Sequence, residues 1–151
     1  MIGEGVTMKY RLLKNDTLKV NEEVFGDHEL HRIKALEDFS NVKAGDLGGY
    51  VESYENLSQD GDCWIYDNAK AWGHAKVIDK ARLYDDVEVY GHSIVGDTAS
   101  LYDFVSASGD AIICGDAELY DVVCVVDNSV VKGGEIGGTC TIRGRVSKAG
   151  D

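Results

Sequence analysis

Apolar and polar positions alternate in units of six residues along this chain, from Leu47 almost to the C-terminal end. In each unit the first residue is usually aliphatic, the fifth is small or β-branched, and the third is nearly always Gly or Asp. The fifth residue of one unit and the first of the next are two positions apart, so their side chains point to the same face of a short strand. The pattern therefore predicts short strands with one buried face, separated by tight turns with Gly or Asp at the corner.

Three of these units make a longer repeat of 18 residues. The triplet Ile65-Tyr66-Asp67 returns as Leu83-Tyr84-Asp85, Leu101-Tyr102-Asp103 and Leu119-Tyr120-Asp121. A repeat of fixed period determines the whole architecture. We predict an all-β fold, a three-sided parallel β-helix with 18 residues per coil and coils stacked about 4.8 Å apart. The unit Val131–Glu135 is one residue short, and Ile136–Thr141 and Ile142–Ser147 complete the β-helix.

Residues 1–46 lie outside this register and are expected to form a small N-terminal β cap, while residues 47–151 form the β-helix. Short strands are predicted at Lys9–Lys14, Thr17–Phe25 and Glu29–Leu36, joined by turns at Asn15-Asp16 and Gly26-Asp27. A cap of this kind covers the strand edges that a bare coil end exposes. At the other end we expect either capping by Lys148–Asp151 or pairing with another subunit.

The absence of proline and the presence of 18 glycines fit a stacked β-helix. Nearly every N–H group of a coil donates to the neighbouring coil, and proline has no N–H to donate. Glycine suits the tight turn at each corner.

Several segments of the chain resemble a group of bacterial and phage hexapeptide-repeat proteins of the YdcK-like kind. The resemblance rests on Ile33–Phe39, Val42–Glu52, Asn56–Ser58 and Cys63–Ala69. It implies a left-handed β-helix. Proteins of this group are often classed with transferases by their fold, and most have no assigned activity.

A column of tyrosines beside a column of aspartates is the first candidate surface, because residues 18 apart stack vertically in a β-helix. The acidic interaction face is predicted to comprise Asp85, Asp86, Glu88, Asp103, Asp121, Tyr84, Tyr102 and Tyr120. Aromatic residues are enriched in interfaces, which favours a binding strip. Alternatively, the stacked tyrosines simply cover a strand side while the aspartates make the turns.

The charge distribution is the sharpest indication of function. The net charge is -12 with a pI of about 4.6, so direct binding to nucleic-acid phosphates is not expected. No Lys or Arg occurs from Leu83 to Val131, a span that holds ten acidic residues. That is about one negative charge per 1.3 Å of β-helix, against about one per 1.7 Å in duplex DNA. We therefore expect a partner with a basic surface, such as the cleft of a nucleic-acid-binding protein.

The most specific hypothesis from this charge is a phage-encoded, non-catalytic inhibitor that mimics nucleic acid and blocks a host nucleic-acid-handling or defence complex. High net charge also keeps repeat proteins soluble, and solubility alone is the simpler explanation.

A column of outward-pointing aliphatic residues predicts self-association, because exposed apolar patches commonly mark interfaces. The predicted oligomer interface comprises Ile78, Ile94, Ile112, Cys114 and Val130. A homo-oligomer, either a dimer or a trimer, is expected from it. Coverage of this column by residues 1–46, here called the N-terminal block, is the alternative.

Catalytic chemistry is weakly represented in the sequence, and no catalytic residue, metal or cofactor is predicted. His74 and His92 stack at equivalent corners above and below one another, with Asp110 and Asn128 next in the column, an arrangement with some likeness to a metal site. A hexapeptide-repeat acyltransferase that uses such a histidine at a subunit boundary is the enzyme alternative. In the usual acyltransferase pattern the small turn residue follows the aliphatic residue directly, whereas here it stands third. A self-assembling structural β-helix is a further alternative.

The four cysteines show no C-x-x-C spacing, and we interpret them as reduced thiols. Cys63 and Cys140 occupy fifth positions and are predicted to be buried, while Cys114 and Cys124 point outward. Met1–Met8 lacks a basic region followed by an apolar run, so no secretory signal is expected. No stretch approaches the length of a membrane span. These features predict a cytoplasmic protein, and the resemblance implies a bacterial host cell.

Overall fold

The computed structural model describes residues 8–23 and 26–147. Within these ranges the chain forms 18 strands and one short 3-10 helix, Tyr54–Asn56, so no helix there is long enough to cross a membrane. The strands assemble into three sheets, which form the three sides of a parallel β-helix of about five turns. The predicted fold class and the 18-residue coil are therefore confirmed, and the left hand stays a prediction.

Each sheet is described by its strands in spatial order. The first sheet contains β1 (Tyr10–Glu22), β2 (Gly26–Ala35), β3 (Leu47–Val51), β5 (Lys70–Ala71), β8 (Glu88–Val89), β11 (Ser106–Ala107), β14 (Val122–Val125) and β17 (Thr139–Ile142). The second sheet contains β16 (Glu135–Ile136), β13 (Glu118–Leu119), β10 (Ser100–Leu101), β7 (Arg82–Leu83) and β4 (Trp64–Ile65). The third contains β18 (Arg145–Ser147), β15 (Val130–Lys132), β12 (Ile112–Cys114), β9 (Ile94–Val95) and β6 (Lys76–Val77).

The coils are joined by backbone hydrogen bonds between residues about 18 apart. The amide of Tyr84 donates to Leu101 O at 2.9 Å, and the amide of Tyr102 donates to Leu119 O at 2.9 Å. Strand β10 pairs in parallel with both β7 and β13, with Leu101 beside Leu83 and Leu119. This ladder explains why proline is absent from the coils.

The interior is a column of small and aliphatic side chains, as the six-residue pattern predicts. In most units the side chains at the first and fifth positions are fully buried, as shown by Ile65, Leu83, Leu101 and Leu119 at first positions and Ala69, Val87, Val105 and Val123 at fifth positions. Because both positions point inward on every side, each coil buries its apolar surface against the coils next to it.

The N-terminal strands continue the first sheet. β1 pairs antiparallel with β2, β2 pairs antiparallel with β3, and β3 pairs in parallel with β5. The predicted turn at Asn15-Asp16 is wrong: these residues lie inside β1, where the register shifts between Leu12 and Thr17. Across this shift β1 advances five residues and β2 only two, so a bulge absorbs the three extra residues without breaking the strand. The predicted strand end at Phe25 lies outside the described residues, and the boundary at residue 46 stays a prediction.

Large side chains close the N-terminal end of the interior. Trp64 is buried and makes edge contacts with Phe39 and Tyr10, with ring centroids 5.3 and 6.1 Å apart. The Tyr10 hydroxyl donates to Leu57 O at 2.5 Å. The buried Lys9 Nζ donates to Cys63 O at 2.8 Å and lies 3.5 Å from Cys63 Sγ. Burial lowers the pKa of Lys9 and raises the pKa of the Cys63 thiol.

The last coil is shorter than predicted. Val123 pairs with Cys140, which confirms the one-residue deletion, but Val131 pairs with Val146, 15 residues on. The final unit, Ile142–Ser147, therefore has a shorter corner than a regular unit, with Gly144 at a φ of 114°. Cys140 occupies an interior column yet is exposed, contrary to prediction, because β17 is the last strand of its sheet in the described chain. The predicted cap at Lys148–Asp151 lies outside the described residues.

Candidate interaction surface

The turns that connect the second sheet to the first, here called the first corner, carry one aspartate per coil. Asp67, Asp85, Asp103 and Asp121 all have φ between 54° and 63°, the left-handed region in which Asp is tolerated better than most residues. Each carboxylate accepts a hydrogen bond from the amide of the next coil, with Asp121 N 2.9 Å from Asp103 Oδ2. These aspartates therefore form the turn and tie successive coils together, as the simpler interpretation of the column expected.

The tyrosines beside them form a stack that ends before the last coil. Ring centroids of Tyr66 and Tyr84 are 4.6 Å apart, and those of Tyr84 and Tyr102 are 4.8 Å apart, with nearly parallel planes. Tyr120 lies instead against Gly137, where an added Cβ would be 2.1 Å from the ring. Tyr120 is correspondingly more exposed, at 36%.

The acidic residues that sequence analysis grouped together divide into separate surfaces. Asp85, Asp86, Asp103 and Asp121 lie at the first corner and are here called the acidic edge. Glu88 lies in β8, on the outside of the first sheet, two residues beyond Asp86. The remaining acids of the Leu83–Val131 span are distributed over the other corners and strands: Asp97, Asp110, Asp116, Glu118 and Asp127.

An exposed aromatic side chain stands among the carboxylates of the acidic edge. Phe104 directly follows Asp103 and is 63% exposed, the largest value among the exposed large hydrophobic side chains of the described residues. On the next coil Val122 follows Asp121 and is 42% exposed. Sequence analysis missed both residues. Phe104 and Val122 follow Asn68 and Asp86 in the same 18-residue column. The change from polar to apolar residues along this column was the signal that could have identified them.

A groove of about 390 Å³ lies beside Phe104. This Phe104 groove is lined by Lys70, Asp86, Glu88, Phe104, Val105 and Ser106. It joins two predicted acidic residues, Asp86 and Glu88, to the exposed ring. The Lys70 ammonium donates to Asn68 O at 2.9 Å, which holds it at the rim of the first corner.

The N-terminal block covers the lower end of the same corner. The Tyr66 hydroxyl donates to Asn41 Oδ1 at 2.8 Å, and Arg82 Nη2 donates to Ser40 Oγ at 2.6 Å. Burial raises the pKa of Tyr66. The N-terminal block therefore fixes Tyr66 at this corner, while Asp67 and Asn68 beside it stay exposed.

The predicted oligomer interface occupies the outside of the third sheet. Ile94 pairs with Ile112, and Ile112 pairs with Val130, so their side chains form one outward row. Ile112 is 38% exposed, whereas Ile78, Ile94, Cys114 and Val130 are half-buried. Self-association through this row stays a prediction.

The stacked histidines line a cleft at another corner, between the β1–β2 hairpin and the coils. The rings of His74 and His92 are 4.8 Å apart, and the cleft of about 420 Å³ also contains His28, Glu22, Glu52 and Glu55. His28 Nδ1 lies 2.9 Å from Glu52 Oε2, and Glu55 Oε1 lies 3.5 Å from His74 Nδ1. Over the ranges 8–23 and 26–147, no group of three or more His, Cys, Asp or Glu side chains has a metal-binding geometry.

Comparison with known proteins gives one informative similarity. A segment of 55 residues, 36% of this chain, is 44% identical to the Escherichia coli strain K12 protein named "Uncharacterized acetyltransferase YdcK". The match spans 17% of the relative's length. No family model matches the chain. The similarity and the observed β-helix together fit a YdcK-like hexapeptide-repeat protein, which confirms the resemblance seen in the sequence.

Proposed function

We propose that this protein is a non-catalytic β-helical interaction protein that binds a basic partner through its acidic edge. The observation that supports the proposal is a cluster of carboxylates at one corner, formed by Asp85, Asp86, Asp103 and Asp121. The span from Leu83 to Val131 contains no Lys or Arg to neutralise their charge. These four carboxylates are spread over two coil spacings, or about 10 Å.

Four like charges over such a distance attract a cationic surface from beyond contact range. Complementary charge raises the rate of association and orients the partner, and it is screened within about 10 Å at ordinary salt. The β-helix holds three of the four charges at fixed spacing, because Asp85, Asp103 and Asp121 each accept a hydrogen bond from an amide of the next coil. A rigid row of charge loses little conformational entropy on binding.

The more specific form of the proposal is mimicry of nucleic acid by a phage-encoded inhibitor. It is supported by the density of charge along the acidic edge, about one carboxylate per 2.4 Å, against one phosphate per 3.4 Å along a single DNA strand. Under this proposal the partner is a host nucleic-acid-handling or defence protein whose basic cleft accepts the edge.

The test compares two double variants that remove equal charge from different corners. Asp103→Asn with Asp121→Asn removes two of the four charges of the acidic edge, and Asp79→Asn with Asp97→Asn is the matched control. All four aspartates have positive φ and accept an amide of the next coil, and the second of each pair accepts from a glycine. Asn tolerates the left-handed region and keeps the accepting oxygen, so both variants are expected to fold.

We expect the wild type and the control variant to retain a basic nucleic-acid-binding protein from host lysate at low salt and to release it at high salt. The edge variant should lose it at both salt concentrations. Equal retention by the two variants would contradict the proposal, because charge at the first corner would then have no special part in binding.

An acyltransferase activity is the second candidate, favoured by the cleft that contains His74 and His92 and by the name of the E. coli relative. An imidazole in such a cleft suits general-base chemistry. This candidate requires binding of an acyl-CoA, measured by calorimetry, and loss of transfer in His74→Ala or His92→Ala. If the wild type binds no acyl-CoA and the edge variant loses its partner, the interaction function would be the one candidate left.

A further inference from the structure

We infer that the Phe104 groove is the docking site for a basic peptide segment in which one large apolar side chain is flanked by Lys or Arg. The inference rests on the proposed function and deepens it, because it specifies which part of the acidic edge contacts the partner and what that partner presents.

The apolar element of the site is the exposed ring of Phe104 together with its neighbours on the next coil. Phe104 is 63% exposed, Val122 is 42% exposed and Tyr120 is 36% exposed. They occupy consecutive coils of one corner, so their exposed surfaces are continuous rather than scattered. Contiguous apolar surface in a polar surround is typical of a binding site, and aromatic residues commonly provide its anchor.

The polar element of the site is carboxylate on both sides of the ring. Asp103 directly precedes Phe104 in the chain. Asp86 and Glu88 line the groove together with Phe104. Among residues 8–23 and 26–147, no Lys, Arg or His lies within 4.0 Å of the carboxylate of Asp86, Glu88 or Asp103. Lys70, which also lines the groove, donates to Asn68 O instead. These carboxylates are therefore available to an external cation.

Charge decides which occupant suits the groove. A second copy of this chain would bring another acidic edge against the first, and like charges in contact oppose association. An uncharged apolar segment would leave Asp86 and Glu88 partly desolvated without a partner. A segment with cationic side chains around one apolar side chain satisfies both elements, and a groove of about 390 Å³ has room for a side chain of that size.

The experiment is a cycle of two proteins and two peptides. The proteins are the wild type and Phe104→Ser, and the probes are two fluorescein-labelled peptides of alternating Lys and Arg, with either Leu or Ser at the centre. Dissociation constants are measured by fluorescence anisotropy at low and moderate salt. The side chain of Phe104 is largely exposed, so the Ser variant is expected to fold, which circular dichroism checks.

We expect Phe104→Ser to weaken binding of the Leu peptide about tenfold, as loss of one apolar contact predicts, and to leave the Ser peptide unchanged. Its salt dependence should match that of the wild type, because no charge is removed. The Asp103→Asn/Asp121→Asn variant should weaken both peptides and reduce the salt dependence, while Asp79→Asn/Asp97→Asn should bind both as the wild type does.

The outcomes separate the two proposals. If Phe104→Ser binds the Leu peptide as tightly as the wild type while the edge variant is weakened, the groove inference is overturned and the proposed function stands. If the edge variant binds as the wild type does, the proposed function fails and the groove inference fails with it. A wild-type dimer in sedimentation that Phe104→Ser dissociates would make a second copy the occupant and would overturn the inference.

Discussion

The lower and upper coils of the first corner share one repeat and present different surfaces. At Asp67 and Asp85 the backbone turns with φ values of 57° and 54°, and at Asp103 and Asp121 it turns with 56° and 63°. On the lower coils, residues of the N-terminal block bond to Tyr66 and Arg82, while Asp67 and Asp85 stay exposed. The upper coils expose the apolar side chains of Phe104 and Val122, with Asp121 exposed and Asp103 half-buried beside them.

This difference separates the residues that form the coil from those that determine which surface the coil presents. Aspartate at the corner is needed in both halves, since it takes the left-handed conformation and bonds the next coil. The covering segment is held by individual side-chain contacts of long sequence separation. Which coils contact the N-terminal block therefore depends on where that block ends. The repeat itself is compatible with a corner that contacts the block and with one that does not.

The largest expected effect is from removing the side chain that joins the N-terminal block to the coils. Trp64→Ala should lower the free energy of unfolding by about 3–5 kcal/mol, because a buried indole in contact with Tyr10 and Phe39 is lost. Each coil contacts only its neighbours, so hydrogen-exchange protection should fall mainly in β1 and β2.

Leu101→Ala is the control for this comparison. It removes a fully buried side chain of an upper coil and should cost about 2–5 kcal/mol, with protection lost around β7, β10 and β13. Identical protection patterns in the two variants would show that the molecule unfolds as one unit, and the two halves would then not be separable.

The repeat could be predicted because each of its positions has one structural reason. The interior places of Leu83 and Val87, and the corner place of Asp85, follow from side-chain alternation and from the left-handed turn. These constraints are local and recur in every coil, so 18 residues are enough to define them.

The candidate surface could be predicted only in part. The acidic edge could be predicted as a column, but the separation of Glu88 from Asp121 depends on Glu88 lying in a strand and Asp121 at a corner. The cover over Tyr66 depends on Asn41, 25 residues away, and no periodicity relates these two residues. Phe104 was overlooked because a single apolar residue at a corner breaks no pattern strongly.

A smaller effect is expected from the hydroxyl that closes the N-terminal end. Tyr10→Phe removes the bond to Leu57 O and should lower the free energy of unfolding by about 1 kcal/mol at neutral pH. Burial raises the pKa of Tyr10 above its ordinary value. Above a pH of about 10 the unfolded tyrosine ionises while the folded one keeps its proton, so this contribution is lost as the pH rises.

The stability difference between wild type and Tyr10→Phe should therefore shrink between about pH 9 and pH 11, as urea denaturation at each pH would measure. Lys9 and Cys63 titrate in both proteins, so their contributions largely cancel in the difference. A difference that stayed constant over this range would mean that the Tyr10 hydroxyl ionises as readily in the folded chain as in the unfolded one.

The smallest expected effect comes from removing one tyrosine hydroxyl in each half of the first corner, at Tyr66 in the lower half and at Tyr84 above it. The Tyr66 hydroxyl donates to Asn41, whereas the Tyr84 hydroxyl has no hydrogen-bond partner in the described chain, although both rings belong to the same stack. Tyr66→Phe should cost about 0.5 kcal/mol and Tyr84→Phe almost nothing, in denaturant titrations followed by circular dichroism. Since both substitutions keep the stacked ring, any difference between them reports the cover alone. Equal costs would mean that the N-terminal block gains no stability from this contact, and that packing around Trp64 holds it in place.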